Sequence, residues 1–162
     1  MISSILLAAG QSKRMQGENK LLKKYKKKYL INHILKSLIK SEVNKIIVVL
    51  GHENRKIKKI SLKSKKITFV FNSQYLKGIS TSIKCGLKKI SKKNIGFLIA
   101  HADMPLVSKT IFNTLCSGLK NKKKEIFVPV YKKKAGNPLA FKYSMIKSFK
   151  KIKGDIGAKK LI

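Results

Sequence analysis

The stretch Ile5-Leu6-Leu7-Ala8-Ala9-Gly10-Gln11-Ser12-Lys13-Arg14-Met15, followed by Lys20, decides how this chain folds. An apolar run typical of a buried strand leads directly into a loop of small residues. Because Ala8–Gly10 carry little or no side chain, the backbone there can approach a ligand closely and direct N–H groups at its oxygens. Arg14 and Lys20 supply the positive charge that a triphosphate needs. The stretch predicts a phosphate-binding loop, although any α/β protein can also begin with a strand and a glycine turn.

Length and composition suit one domain over residues 1–162, because 43% of the residues are hydrophobic and can build a core. No apolar run approaches the length of a membrane span, and no basic leader precedes the first one. We therefore expect a cytoplasmic protein with no membrane partner. Cys85 and Cys116 show neither metal nor redox spacing, so we expect both to pack in helices as small apolar residues.

The formal net charge of +33 at pH 7 would favour binding to a polyanion through counterion release. The excess is almost entirely lysine, with Arg14 and Arg55 the only arginines, whereas base-reading proteins favour arginine. The lysines are spread along the chain without a single stripe or interleaved aromatic residues. A general preference for lysine explains the charge at least as well, so we expect weak, salt-sensitive binding to RNA and no specific nucleic-acid site.

Apolar runs and amphipathic segments alternate along the chain. Strands are predicted at 2–8, 45–50, 67–71, 96–100, 126–130 and 139–141. Helices are predicted at 29–41, at 80–90, from an N-cap at Ser108 to about Leu119, and on both sides of Lys150. This order predicts an α/β fold with a mainly parallel, Rossmann-like sheet and helices on both faces. Ligands bind such sheets beyond the carboxyl ends of the strands, where the first loop and the loop at Asp103 both lie.

Asp103 and Asp155 are the only aspartates among six acidic residues. Asp103 directly follows a buried strand, and a carboxylate opposite a phosphate loop suits Mg²⁺, which takes one or two protein oxygens. The alternative is a turn in which Asp103 is a capping residue. Asp155 could share the metal while Lys159 reaches phosphate. The alternative is that Asp155 caps the last helix, and the sequence slightly favours the cap.

Polar residues also mark two later junctions. Gly78 provides a turn before Ser80-Thr81-Ser82, three consecutive hydroxyls at a strand-to-helix junction, which exceed what capping alone requires. Asn137, in Gly136-Asn137-Pro138, is either a turn residue or a ligand contact. Both segments are therefore candidate parts of a binding site.

Five motifs in this order resemble the molybdenum cofactor cytidylyltransferase family, within the MobA-like nucleotidyltransferase superfamily. They are Leu7-Ala8-Ala9-Gly10-x-Ser12-x-Arg14-Met15 with Lys20-Leu21-Leu22, Gly78-x-Ser80-Thr81-Ser82, Ala102-Asp103-Met104-Pro105-Leu106-Val107, Gly136-Asn137-Pro138, and Gly154-Asp155-x-Gly157-Ala158. The first motif is shared with many sugar and polyol-phosphate nucleotidyltransferases, whereas the last four indicate the narrower family.

The resemblance implies that CMP passes from CTP to the terminal phosphate of Mo-molybdopterin, with release of pyrophosphate. It implies catalytic roles for Arg14, Lys20 and Asp103, and Mg²⁺ held by Asp103 and Asp155. Ala-Ala-Gly in the first loop goes with a pyrimidine in that family. The residues that would line the nucleotide are Leu7, Ala8, Ala9, Gly10, Lys20, Gly78, Ser80, Thr81, Ser82 and Asn137. A molybdoenzyme would receive the product.

This sequence departs from the family pattern at three places. Gln16 separates Arg-Met from the glycine at position 17, which predicts altered backbone dihedrals in the loop. Lys159 replaces an arginine, which keeps the charge and loses the fork geometry. The chain ends at Ile162, where relatives continue into a further acidic segment, so either this is a short variant or the C-terminus is missing. Two alternatives therefore remain, a pyrimidine-dependent sugar or polyol-phosphate transferase and a non-catalytic carrier of the molybdenum cofactor.

Overall fold

The first predicted strand forms the centre of the sheet. A computed structural model of the protein describes residues 1–121 and 123–162, and β1, Ile2–Ala8, is buried over its whole length. It pairs in parallel with β4, Lys45–Leu50, on one side and with β6, Gly96–His101, on the other. A strand that is covered on both faces needs apolar side chains at nearly every position, which explains its continuous apolar run.

Short elements surround this centre. The other strands are β2 (Lys24–Tyr25), β3 (Lys28–Tyr29), β5 (Ile67–Phe71), β7 (Ile126–Phe127), β8 (Val130–Tyr131), β9 (Lys134–Ala135) and β10 (Leu139–Lys142). The α-helices are α1 (Leu30–Ile39), α2 (Asn54–Ile60), α3 (Ile79–Leu87) and α4 (Lys109–Asn121). Segments of 3₁₀-helix lie at Lys13–Met15, Lys20–Leu22, Tyr75–Lys77, Tyr143–Lys151 and Ala158–Leu161.

The six-stranded sheet has the order β5-β4-β1-β6-β10-β7. Strands β5, β4, β1 and β6 are parallel, whereas β10 runs antiparallel to both of its neighbours. The predicted α/β fold with a mainly parallel sheet is therefore confirmed. Since the parallel strands β1, β4, β5 and β6 all end at the same edge of the sheet, the loops that follow β1 and β6 come together there.

Alternate residues of the central strands feed two separate cores. On one face, Leu6 and Val48 pack with the buried sides of α1 and α4, including Phe112. On the other face, Ile5 and Phe97 pack with α3 and with the 3₁₀-helix around Phe149, and Phe97, Phe141 and Phe149 form a stacked and edge-to-face aromatic cluster. Helices thus cover both faces of the sheet, as predicted.

Both cysteines lie in helices, as predicted. Cys116 is fully buried in α4, and burial raises the pKa of its thiol to about 11, with the nearby Glu42 carboxylate adding to the effect. Cys85 is partly buried in α3, and burial raises the pKa of this thiol also. Both thiols therefore remain protonated at neutral pH and behave as small apolar side chains.

Two predicted elements differ from the structure. The strand expected at 126–130 divides at Pro129, which has no N–H for a ladder, into β7 in the main sheet and β8 in a separate ribbon with β9. A single 3₁₀-helix runs through Lys150 in place of helices on each side of it, and a second one ends the chain. The β2–β3 hairpin and α2 were not predicted, because neither contains a long periodic apolar run.

Gly96 gives a test of packing at the start of β6. A Cβ at this position would lie 2.6 Å from the Phe141 carbonyl oxygen and 2.8 Å from Leu119 Cδ2. Gly96→Ala should lower the free energy of unfolding by about 1–3 kcal/mol, because backbone of β10 would have to move. Chemical denaturation of the variant measures this change. Gly136→Ala is the matched control, since a Cβ there would come no nearer than 3.4 Å to another atom, the Pro129 carbonyl oxygen. Equal stability of the two variants would contradict the tight packing at Gly96.

Candidate active site

A cleft of about 650 Å³ lies at the carboxyl ends of β1 and β6. Its size is typical of small-molecule sites in proteins. The lining residues are Leu7, Ala8, Ala9, Gly10, Gln11, Ser12, Lys13, Arg14, Met15, Lys20, Leu21, Tyr75, Leu76, Gly78, Ile79, Ser82, His101, Asp103 and Asp155. The fold therefore brings the first loop, the start of α3, the loop at Asp103 and the C-terminal segment to one place.

The small residues of the first loop are small for different structural reasons. Ala8 belongs to the core beneath the sheet, and Ala9 is buried against the neighbouring β4 loop. A Cβ on Gly51 would lie 2.8 Å from Ala9 Cβ and 2.7 Å from Tyr75 Cβ, so Gly51 permits this close approach. A Cβ on Gly10, in contrast, would meet nothing within 4 Å, and Gly10 is exposed to the cleft. Packing therefore explains the alanines and leaves the glycine unexplained.

The loop after Gly10 contains two non-glycine residues with left-handed backbone conformations. Ser12 has φ of 52° and its Oγ accepts a hydrogen bond from the Lys20 backbone N–H at 3.0 Å, which closes the loop. Gln16 has φ of 51°, and Gly17 follows with φ of 86°. A left-handed conformation costs a non-glycine residue about 1–2 kcal/mol. Gln16 thus places a side chain in a backbone conformation that favours glycine.

Lys20 and Asp103 meet across the cleft. The Lys20 Nζ lies 3.3 Å from Asp103 Oδ2, and the two side chains are 45% and 46% exposed. Such an exposed pair contributes about 0–1 kcal/mol to stability, so the fold depends little on it. Among the described residues Arg14 forms no salt bridge, and its exposed side chain lines the same cleft. Both cations are therefore accessible to an anionic ligand.

Asp155 caps a helix, but a different helix from the one predicted. Its Oδ1 accepts a hydrogen bond from the Ile79 N–H at 3.3 Å, at the start of α3, whereas the last 3₁₀-helix has no side-chain cap. Gly78 makes this approach possible, because a Cβ there would lie 2.3 Å from the Gly154 carbonyl carbon. The Ser80 N–H also donates to the Gly154 carbonyl oxygen at 3.1 Å. Asp155 thus caps α3 and lines the cleft at the same time.

Two of the three hydroxyls after Gly78, those of Thr81 and Ser82, form hydrogen bonds within the wall of the cleft. Asn72 Nδ2 donates to Thr81 Oγ1 at 2.9 Å and to Ser82 Oγ at 3.0 Å. Thr81 Oγ1 lies within donating distance of the Gln74 and Gly78 carbonyl oxygens, at 2.9 and 2.8 Å. Ser82 lines the cleft, whereas Ser80 is buried behind it. Direct contact of Ser80 and Thr81 with a nucleotide stays a prediction.

A smaller cleft of about 310 Å³ adjoins the first and shares Leu7, Ile79 and His101 with it. Asn137 and Lys159 line this second cleft and not the first. The Lys159 Nζ donates to the Ala135 carbonyl oxygen at 3.1 Å. Asn137 therefore lies beside the main cleft and lines the second cleft together with Lys159.

His101 stands on the wall between the two clefts, and the sequence analysis did not assign it to the site. Burial lowers its pKa from the usual range; the nearby Asp103 carboxylate raises it and Lys159 lowers it further. The ring is therefore neutral at pH 7 and can accept as well as donate a hydrogen bond. Its position two residues before Asp103, at the end of a buried strand, was the available signal.

The carboxylates suit a hard divalent cation. Within residues 1–121 and 123–162, no group of three or more histidine, cysteine, aspartate or glutamate side chains could hold a metal ion. Asp103 and Asp155 nevertheless supply oxygen donors to one cleft. Mg²⁺ typically uses one or two protein carboxylates together with water and substrate phosphates. The donor set therefore fits a cation that arrives with a polyphosphate.

In the part of the chain that the structure describes, no helix is both long enough and apolar enough to span a bilayer.

Sequence comparison identifies a domain family over almost the whole chain. The family described as "MobA-like NTP transferase domain" matches residues 4–162. The chain is also similar to the bifunctional protein GlmU of Clostridium tetani, with 32% identity over 115 residues. That alignment covers 69% of this chain and 24% of the relative, so the chain matches only about a quarter of that protein's length.

Solved structures with the same fold include Rv0371c from Mycobacterium tuberculosis, with a TM-score of 0.86 and 22% identity over 99% of this chain and 80% of that one. Its manganese complex aligns with a TM-score of 0.80, 21% identity and the same coverage. The 4-diphosphocytidyl-2C-methyl-D-erythritol synthase of Anaerococcus prevotii has a TM-score of 0.74 and 17% identity, over 99% of this chain and 79% of that one. At these identities the likeness concerns the fold.

Gly10 separates the needs of folding from those of binding. Because nothing in the protein occupies the space around it, Gly10→Ala should leave the melting temperature within about 2 °C of the original. The same methyl group would obstruct the close approach of a phosphate, so nucleotide affinity should fall by about tenfold or more. Calorimetric titration and thermal unfolding of one preparation measure both effects. An unchanged affinity would show that phosphates do not approach this backbone.

Proposed function

Because the chain belongs to the MobA-like NTP transferase domain family, we propose that it transfers a nucleotidyl group from a nucleoside triphosphate to a phosphate-bearing acceptor. An oxygen of the acceptor phosphate bonds to the α-phosphorus, and the bond from that phosphorus to the oxygen bridging it to the β-phosphate breaks. Pyrophosphate leaves with the electron pair. The observation that carries this proposal is the convergence of Gly10, Arg14, Lys20, Asp103 and Asp155 on one cleft.

Positioning and charge neutralisation account for the residues of the cleft. In-line transfer requires the attacking and leaving oxygens to be aligned, and no protein nucleophile takes part in the proposed step. The loop at Gly10 would hold the phosphates through its backbone, while Arg14 and Lys20 neutralise the charge that develops on the departing pyrophosphate. Lys20 would leave Asp103 for the triphosphate, since their exposed contact is weak.

We propose Mg²⁺ as the cofactor, held by Asp103 and Asp155. The oxygen donors of this cleft support a hard divalent cation, and a manganese complex of the structurally similar Rv0371c supports divalent-metal use. When bound, such a cation neutralises phosphate charge and polarises phosphoryl oxygens. Asp155 keeps its helix-capping contact through Oδ1, which leaves its other oxygen available.

We further propose CTP as the donor and the phosphate of Mo-molybdopterin as the acceptor, with delivery to a molybdoenzyme. The Ala8-Ala9-Gly10 loop and the four later motifs support this narrower assignment through their resemblance to the cytidylyltransferases. The second cleft would receive the acceptor, because it shares His101 with the main cleft and contains Lys159 for an acceptor phosphate and Asn137 for a polar group. His101, which faces both clefts, would contact the acceptor while neutral.

A sugar or polyol phosphate is the second candidate acceptor. The first motif, which many sugar and polyol-phosphate nucleotidyltransferases share, favours this function, and the 4-diphosphocytidyl-2C-methyl-D-erythritol synthase from Anaerococcus prevotii has the same fold. A carrier that holds the molybdenum cofactor without catalysis is distinguished from both enzymes by the absence of turnover.

A donor and acceptor panel tests the substrate assignment. CTP, UTP, GTP and ATP would each be offered with Mg²⁺ and either Mo-molybdopterin or a sugar or polyol phosphate, and released pyrophosphate would be measured. We expect release only with CTP and Mo-molybdopterin. Release with a sugar or polyol phosphate instead would overturn the acceptor, and binding of CTP without release in any combination would indicate a carrier.

Asp103→Asn tests the proposed role of the carboxylate. The amide preserves shape but removes a charged metal donor, so pyrophosphate release should fall by at least about 100-fold. Stability should be nearly unchanged, because the contact with Lys20 is exposed. Glu125→Gln is the control, since its carboxylate accepts a hydrogen bond from Ser144 Oγ and does not line the cleft. Similar turnover in both variants would contradict a catalytic role for Asp103.

A further inference from the structure

A third cleft, of about 550 Å³, is lined by five lysines from residues 24–40. Its lining residues are Lys24, Lys27, Lys28, Tyr29, Asn32, Lys36, Ile39, Lys40 and Leu62. We call it the lysine cleft, after Lys24, Lys27, Lys28, Lys36 and Lys40. It shares no lining residue with either cleft of the candidate active site.

Three elements build the lysine cleft. The β2–β3 hairpin provides three of the lysines, α1 provides Lys36, and Lys40 follows the last residue of α1. The opposite wall is held by Asn32, whose Nδ2 donates to the Ile60 carbonyl oxygen at 2.8 Å and whose Oδ1 accepts from the Leu62 N–H at 3.0 Å. The wall that carries Leu62 is thus fixed to α1, and the cleft is a feature of the fold.

The charges of the lysine cleft are unbalanced. Repulsion from the Lys36 ammonium, and hydrogen bonding to it, lower the pKa of Lys28, with a smaller contribution from Lys40. No carboxylate is among the lining residues. In the described part of the chain, the glutamates that form salt bridges pair with lysines outside the cleft, namely Lys23, Lys56 and Lys120. An external anion is therefore the available counter-charge.

Apolar surface accompanies this charge. Tyr29, Ile39 and Leu62 contribute apolar surface to the lining, and the Lys24 Nζ lies 5.2 Å from the centre of the Tyr29 ring. Lysine acts as a point charge on a flexible stem, which suits phosphate groups more than the paired edges of a base. The volume corresponds to a small molecule and not to a long groove.

We propose that the lysine cleft binds a compact anion that carries several phosphate groups, at a site separate from the transferase cleft. Two or more phosphates would bridge Lys28 and Lys36 and relieve their repulsion. The apolar surface would contact any non-phosphate part of the ligand. This proposal does not rest on the proposed transferase function, because neither the residues nor the ligand need take part in that reaction.

Binding of inorganic tripolyphosphate tests the proposal. The full chain would be titrated at about 150 mM salt, where the long-range field is largely screened, and amide NMR signals would be followed. We expect shifts at Asn32 and Leu62 that saturate separately from those at Gly10 and Gly78, which report the transferase cleft. Absence of saturable shifts at Asn32 and Leu62 would overturn the site.

Charge-matched variants separate a local site from the general charge of the protein. Lys28→Gln with Lys36→Gln should weaken the binding measured at Asn32 and Leu62 by about tenfold, while Gly10 and Gly78 respond as before. Lys92→Gln with Lys93→Gln removes two exposed charges from another loop and should change that affinity by less than about twofold. Lys28→Arg with Lys36→Arg should retain binding. Equal weakening by both glutamine pairs would assign the effect to net charge.

An oligouridylate of eight nucleotides provides the remaining comparison. RNA that shifts Asn32 and Leu62 while tripolyphosphate does not would overturn the compact anion in favour of a nucleic-acid surface. Tripolyphosphate binding that oligouridylate does not displace would support the proposal.

Discussion

The parallel pairing of β1 with β4 and β6 is the constraint on which the rest of the structure depends. All seven residues of β1 are buried, and the strand is paired on both sides, so its position in the sheet is fixed. The chain leaves the sheet at Ala9, where the buried side chain contacts the loop around Gly51. From there the backbone follows the cleft edge. The later site residues lie around the cleft that begins at this end of β1.

The candidate site depends on contacts between distant segments more than on its charges. Lys20 and Asp103 form an exposed pair that contributes little to folding. The close backbone approach of Gly78 to Gly154 and the hydrogen bond from Ser80 to Gly154 place the C-terminal segment against α3. A rigid frame of apolar packing and backbone contacts thus carries accessible cations and carboxylates. Such an arrangement keeps polar groups available for a ligand instead of satisfying them within the protein.

The sequence was informative where one segment determines its own structure. The apolar run of β1 predicted a buried parallel strand, and Pro105 with the strand before Asp103 predicted a loop at the same sheet edge. It was not informative where the outcome depends on contacts across the chain. Asp155 was expected to cap its own helix, and the contact with Ile79 spans 76 residues. Likewise, the grouping of Lys28 with Lys36 depends on an unpredicted hairpin lying beside α1.

The joining of Gly78 and Gly154 also has a consequence for synthesis of the protein. The first loop leaves the ribosome early, but one wall of its cleft is supplied by Asp155, close to the last residue, Ile162. A nascent chain that has exposed only the first strands presents cationic side chains without Asp103 and Asp155, the carboxylates that share their cleft. The complete cleft therefore forms only after the segment around Asp155 has emerged and packed against α3.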